Sequence, residues 1–146
     1  MGRKELEILI IEDDPSDAEL IVRTLKKNMP AGRLAVLQDG EEALDFIFTR
    51  GKYKSPDPSR PPKVIFLDLK LPKIEGLEVL KEIKSNKKTK KIPVVVLSSS
   101  YEERDIGKAY ETGANSYVVK PVDFETFEKK INQLGSYWLA VNEQPV

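Results

Sequence analysis

Five side chains stand directly behind short apolar runs: Glu12 and Asp13 after Ile8 to Ile11, Asp68 after Val64 to Leu67, Ser98 after Val94 to Leu97, and Lys120 after Tyr117 to Val119. If those runs are neighbouring parallel strands, their ends meet on one sheet edge and gather three carboxylates, a hydroxyl and an ammonium. Carboxylates about 4 Å apart repel by about 4 kcal/mol per pair at an effective dielectric near about 20, so the arrangement needs a counter-charge. A small hard cation supplies it. Mg²⁺ takes one or two carboxylates, a main-chain carbonyl and several waters; Mn²⁺ or Ca²⁺ can substitute. Asp13 and Asp68 are the expected direct ligands, Glu12 a water-mediated one, and the carbonyl of Lys70 the main-chain candidate. A carboxylate that attacks phosphorus needs its own charge and the incoming charge neutralised, and the metal and the Lys120 ammonium would do this. Ser98 could then donate to a phosphoryl oxygen, as could backbone N–H groups after Asp68.

Each residue also has an ordinary structural explanation. Acids after strands often cap helices, and a Lys-Pro pair often turns the chain. The combination in one order along the chain is what points to a reactive pocket.

The elements that would position the pocket follow from pattern. Ile8 to Ile11 is a continuous, mostly β-branched run of the kind buried on both faces of a parallel sheet. Asp14 followed by Pro15 starts a helix, whose inner face is Ala18, Ile21, Val22 and Leu25. Leu34 to Leu37 is a second strand; Asp39-Gly40 precedes a helix with acids in its first turn and Ala43, Leu44, Ile47 and Phe48 as apolar residues. Val64 to Leu67 is the third strand, before a helix with Leu77, Leu80 and Ile83. Ile92 to Leu97 is the fourth, followed by a helix over Glu102 to Thr112 that Gly113 stops in a left-handed conformation. Tyr117 to Val119 is the fifth. Asp123 caps a last helix whose seam is Phe124, Phe127, Ile131, Leu134, Trp138 and Val141. Five strand-helix repeats with right-handed crossovers predict a three-layer, doubly wound α/β sandwich. From Gly51 to Pro62 the chain holds four prolines, in a stretch that is either a contact surface or a mobile loop. The lysines at 84, 87, 88, 90 and 91 fit a solvated connector better than an acidic partner's docking site.

Composition narrows the function. At 146 residues and 40% hydrophobic content, the chain fits a single domain with its core over about residues 6–141. Only Asn142 to Val146 follow the last helix, so no output domain is expected. Lys+Arg and Asp+Glu balance at 24 each, which gives no global field toward nucleic acid or an anionic membrane. Cysteine is absent and no run could span a bilayer, which fits a cytoplasmic protein. Histidine is also absent, so any metal must be held by oxygen, and the chain cannot itself carry a phosphohistidine.

At Glu12-Asp13, Asp68 with Leu71-Pro72 and Gly76, Ser98 after an apolar strand, and Lys120-Pro121, the sequence resembles the receiver domain of two-component response regulators. The likeness runs from Ile8 to about Leu134. Singly these motifs are unspecific, but their order and spacing together are not. The resemblance implies a flavodoxin-like (βα)5 fold with a parallel sheet in the order 2-1-3-4-5. It implies phosphorylation of Asp68 from a histidine kinase, a metal-binding pair in Glu12 and Asp13, phosphoryl contacts from Ser98 and Lys120, a cis bond at Lys120-Pro121, and a switch aromatic at Tyr117. The only catalysis expected is of the domain's own phosphorylation and dephosphorylation. Within the family the chain looks most like single-domain regulators partnered with cyanobacterial and bacterial phytochromes, on the proline-rich insertion, the Leu97-Ser98-Ser99-Ser100 run and the aromatic Tyr137-Trp138 end.

Output would then be partner binding. Tyr137, Trp138 and Leu139 lie on more than one side of the last helix, more than one sheet face can bury. A homodimer through the fourth helix, fifth strand and fifth helix, using Tyr137, Trp138 and Phe124, is expected, with a merely longer helix as the alternative. Two rivals to phosphorylation signalling remain: a Mg²⁺-dependent aspartyl-phosphate phosphatase, although the haloacid dehalogenase type places an aspartate where Lys70 stands, and a phosphorylation-independent binding module. No G-x-G-x-x-G or G-x-x-x-x-G-K-[ST] supports nucleotide binding.

Overall fold

The run Ile8–Ile11 has no polar side chain, so it is stable as a strand only where both sheet faces are covered, and it forms the centre of the fold as β1. In the computed structural model, which describes residues 6–30, 33–54 and 61–145, β1 pairs in parallel with β2 (Leu34–Leu37) and β3 (Val64–Leu67). β4 (Val94–Ser98) pairs with β3, and β5 (Ser116–Val119) with β4, giving the order β2-β1-β3-β4-β5. The expected doubly wound, flavodoxin-like topology is therefore the observed one. The edge strands β2 and β5 are largely half-buried, whereas β1, β3 and β4 are buried throughout.

Alternate residues of each strand face opposite layers, so the central strands feed two cores. Ile8, Ile10, Phe66, Val95 and Leu97 pack against Leu20, Ile21 and Leu25 of α1 (Pro15–Asn28) and Phe127 and Ile131 of α5 (Phe124–Ser136). Leu9, Ile11, Ile65, Leu67, Val94 and Val96 pack against α2 (Gly40–Ile47), α3 (Gly76–Ser85) and α4 (Glu103–Thr112). Full burial of each such side chain stabilises by roughly 1.5–3 kcal/mol.

Local signals in the sequence mark most boundaries. Asp14 accepts from the Ser16 and Asp17 N–H groups ahead of Pro15, and Asp39 and Asp123 cap α2 and α5. Gly113 ends α4 at φ +118°, a conformation that a Cβ would strain. Three details depart from expectation. β4 begins at Val94 rather than Ile92, because Pro93 has no N–H to give the ladder, although its carbonyl accepts from Ile65. On α2, Phe46 is buried, held edge-on by Tyr53, while Ile47 and Phe48 are half-buried. The last helix does not continue regularly to Val141. After Ser136 the chain widens into a π-turn over Tyr137–Val141, closed by Asn142 N–H on the Tyr137 carbonyl at 2.7 Å, and this rotates Val141 out to 64% exposure. Half of the proline-rich stretch, residues 55–60, lies outside the described residues.

The sheet end remote from the acidic residues is tied by one lysine. Lys84 Nζ donates to the carbonyls of Lys90 and Ile92 at 3.0 and 2.7 Å and to Asn115 Oδ1 at 2.9 Å. Asn115 Oδ1 also accepts from Val94 N–H at 2.9 Å, so one amide joins α3, β4 and the turn before β5. Asn115→Ala should lower stability in urea unfolding by about 1–3 kcal/mol, because it strands donors that the fold partly buries.

Candidate functional site

The carboxyl ends of β1, β3, β4 and β5 meet at the edge where the strand order reverses, the usual ligand position in such sheets. Hydrogen bonds set each residue there. Asp68 N–H donates to the Ile11 carbonyl at 3.0 Å, holding it beside Glu12, whose own N–H donates to the Leu37 carbonyl. Lys120 N–H reaches the Ser98 carbonyl at 2.7 Å and extends the β4–β5 ladder by one step. Gly76, the first residue of α3, lies so close beneath Asp68 that a Cβ there would stand 2.2 Å from the Asp68 carbonyl oxygen. Only glycine lets α3 begin against that backbone.

Lys120 is the hub. Its Nζ donates to Glu12 Oε1 at 2.7 Å, Asp17 Oδ2 at 2.9 Å and Asp68 Oδ2 at 3.2 Å, with its side chain 11% exposed. Asp68 Oδ1 accepts from Lys70 N–H at 3.2 Å. Carboxylate oxygens of Glu12, Asp13 and Asp68 lie within 4.8 Å of one another, Glu12 and Asp68 buried and Asp13 exposed. An all-oxygen set of this kind, open to water on one side, fits a hard dication such as Mg²⁺ or Mn²⁺.

Charge and burial compete in this pocket. Burial, reinforced by the neighbouring Asp68 charge, pushes the Glu12 carboxyl up to about 8 despite its bond to Lys120. Burial would lower the Lys120 ammonium, but the Glu12 hydrogen bond and the charges of Asp68 and Glu12 outweigh it, so it is held above its ordinary value. The lysine stays charged, and Glu12 is the carboxyl that gives up its negative charge by holding a proton.

Ser98 is buried at the end of β4, its Oγ accepting from Ser100 N–H at 3.1 Å. The half-buried Tyr117 packs on the core and donates its hydroxyl to the Ser100 carbonyl at 2.9 Å, so both residues meet the same loop. The Lys120–Pro121 bond corrects an expectation: the described residues contain no cis peptide, and this bond is trans. Trans is the lower-energy form by about 0.5–1 kcal/mol, and Lys120 makes all three carboxylate contacts from it, so nothing in the pocket demands the alternative. Asp17 was not among the expected site residues. Its place in the first turn of α1, four residues after Asp13, was the available signal, but an acid there reads first as complementing the helix dipole.

The residues expected at a partner interface are not contiguous. Phe124 is 54% exposed at the start of α5, under the Arg23 guanidinium of α1, whereas Tyr137, 47% exposed, follows the helix's last residue roughly 20 Å away at about 1.5 Å per residue. Trp138 is half-buried against the core, with its ring edge-on to Tyr137 at 5.0 Å.

A parallel sheet that presents clustered carboxylates and a buried ammonium at its switch point defines a phosphoacceptor-type signalling domain. The family model for the response regulator receiver domain matches residues 8–132, and the chain belongs to that family. It is 39% identical over 138 residues to the response regulator Rcp1 of Synechocystis sp., covering 94% of this chain and 92% of that protein. The Mn²⁺-bound form of Rcp1 superposes with a TM-score of 0.89 over 97% of this chain and 99% of that one. The phosphorylated cyanobacterial phytochrome response regulator RcpA gives a TM-score of 0.90 at 34% identity, covering 97% and 99%. The bacteriophytochrome response regulator AtBRR is 47% identical, covering 95% and 99%, with a TM-score of 0.73. The chain is thus a receiver domain with an acidic metal site, a phosphoacceptor rather than a conventional enzyme. No helix among the described residues is long and apolar enough to cross a membrane.

The raised Glu12 carboxyl has a measurable sign. Between about pH 4.5 and 8 the folded, metal-free protein binds a proton at Glu12 that the unfolded chain has lost, so its stability declines as pH rises through that window. Thermal melts in chelator between about pH 5 and 9 should show the midpoint falling with pH, and Glu12→Gln should flatten the slope.

Proposed function

We propose that Asp68 is the phosphorylation site of a response regulator that takes its phosphoryl group from a histidine kinase, most closely one of the phytochrome type, and changes partner binding in response. The observation that carries this is the three-way contact of Lys120 with Glu12, Asp17 and Asp68 beside the carboxylate cluster. It sets the Asp68 carboxyl, buried, next to a fixed positive charge. Similarity to the phytochrome response regulators RcpA and AtBRR supports the phytochrome assignment.

In the transfer, an Asp68 carboxylate oxygen forms the new P–O bond while the P–N bond to the donor imidazole breaks. The bonding pair leaves on the imidazole nitrogen, which then takes a proton. A carboxylate oxygen attacks without losing a proton, so this chemistry calls for no general base. Glu12, Asp13, Asp68 and the Lys70 carbonyl would hold Mg²⁺, or Mn²⁺ or Ca²⁺ in its place, and the ion would neutralise the phosphoryl oxygens as they approach. Lys120 turns a donor from Asp68 to a phosphoryl oxygen, and Ser98 supplies a second hydrogen bond.

A charge-assisted hydrogen bond from Ser98 made only in the active conformation favours that conformation by roughly 1.5–3 kcal/mol, about ten- to more than a hundredfold. Moving the Ser98 hydroxyl withdraws the acceptor of Ser100 N–H, and the Ser100 carbonyl holds the Tyr117 hydroxyl. The change therefore reaches α4, β5 and α5. There a groove of about 310 Å³ runs between β5 and α5, lined by Tyr117, Val118, Val119, Lys130, Gln133 and Leu134. We assign homodimer formation to this face, with Tyr137 and Trp138 at one end of α5 and Phe124 at the other.

Incubation with a small phosphodonor and Mg²⁺ should add the mass of one phosphoryl group to wild type and none to Asp68→Asn; phosphate turnover without an adduct would favour a phosphatase instead. In sedimentation, Tyr137→Glu should convert a dimer to a monomer without loss of phosphorylation. An unchanged dimer would remove this face from the assembly.

A further inference from the structure

Asp17 occupies the third residue of α1, where an acid commonly folds back to accept the backbone N–H of the capping residue. Here that donor is already taken. Asp14 N–H donates to Glu12 Oε2 at 3.1 Å, so the pocket itself completes the helix start. The Asp14 side chain accepts from Asp17 N–H at 3.2 Å and fixes the Asp17 backbone, which leaves the Asp17 carboxylate free to turn inward. It meets Lys120 Nζ at 2.9 Å, closer than Asp68 does at 3.2 Å.

An ammonium has three hydrogens, and in Lys120 all three go to carboxylates. Two of these belong to the cluster that suits a dication, Glu12 and Asp68; Asp17 does not. We infer that Asp17 is a positioning residue for phosphoryl recognition: with Glu12 it pins two of the Lys120 donors, so that the third points at the Asp68 carboxylate where the phosphoryl group arrives. This role rests on Asp68 being the phosphoacceptor. It is separate from metal binding, and it acts through Lys120 rather than on the reacting atoms. Without Asp17 one donor turns to water, and the long lysine chain recovers the rotamer freedom that the contact removed.

The test compares wild type, Asp17→Asn and Asp17→Glu in two titrations, Mn²⁺ alone and beryllofluoride, a phosphoryl mimic, in saturating Mg²⁺. Removing a negative charge should by itself strengthen binding of an anion. Loss of positioning predicts the reverse: Asp17→Asn weakens beryllofluoride affinity by about tenfold, the scale of one charge-assisted hydrogen bond, with Mn²⁺ affinity unchanged. Asp17→Glu, which keeps the carboxylate, should recover most of the loss. Equal or tighter beryllofluoride binding by Asp17→Asn, a parallel loss of Mn²⁺ affinity, or no recovery in Asp17→Glu would each overturn the role. Failure of wild type to bind beryllofluoride at all would instead sink the assignment of Asp68 on which it stands.

Discussion

The pocket depends on one electrostatic constraint: more buried carboxylate than a single ammonium can balance. Lys120 reaches Glu12, Asp17 and Asp68 together, yet Glu12 is still pushed up to about 8, so one cation is not enough. Stability of the resting protein is spent to hold that charge in place. The deficit makes the site responsive to a dication and to a phosphoryl group, since both change the charge that Lys120 must satisfy. A better balanced pocket would be more stable and less able to sense either.

The fold meets the constraint by geometry. Strands buried on both faces leave no polar side chain to tether them sideways, so polar groups collect where the strands end. The parallel sheet brings four such ends to one edge, and the Lys120 N–H to Ser98 contact and the close seat of Gly76 under Asp68 hold them in register. The same loops lead outward. Ser98 shares Ser100 with Tyr117, so a rearrangement at the site has a direct mechanical route to the β5 edge.

The parts of this legible in the sequence were those set by local chemistry. Buried runs, Asp14-Pro15 and Gly113 carry their reasons within a few residues, and they place β1, α1 and the end of α4 correctly. The metal-type cluster was legible as well, because each acid directly follows a strand. What escaped depends on distant partners. Asp17 looks like a first-turn acid until Glu12 is seen to take the Asp14 N–H, and Lys120 lies 103 residues away from it. The π-turn after Ser136 also broke an unblemished seam, since spacing of three and four cannot reveal a widened turn that puts Trp138 on the core and Val141 in solvent. The strand start at Val94 was readable in hindsight from Pro93 alone.

Two half-buried lysines show how thoroughly the partners decide the chemistry. Lys84, at the remote end of the sheet, also uses three donors, but its acceptors are two carbonyls and an amide, so burial brings its ammonium down to about 8. Lys120 suffers similar desolvation and moves the other way, because its acceptors are anions. Neutral acceptors leave Lys84 as a clamp with nothing to exchange when a charged ligand arrives. Anionic acceptors give Lys120 a contact that a phosphoryl oxygen can take over without leaving it unpaired. One side-chain type thus closes one end of the sheet and keeps the other responsive, and the difference lies in the charge of the groups around it rather than in the lysine or in the depth of its burial.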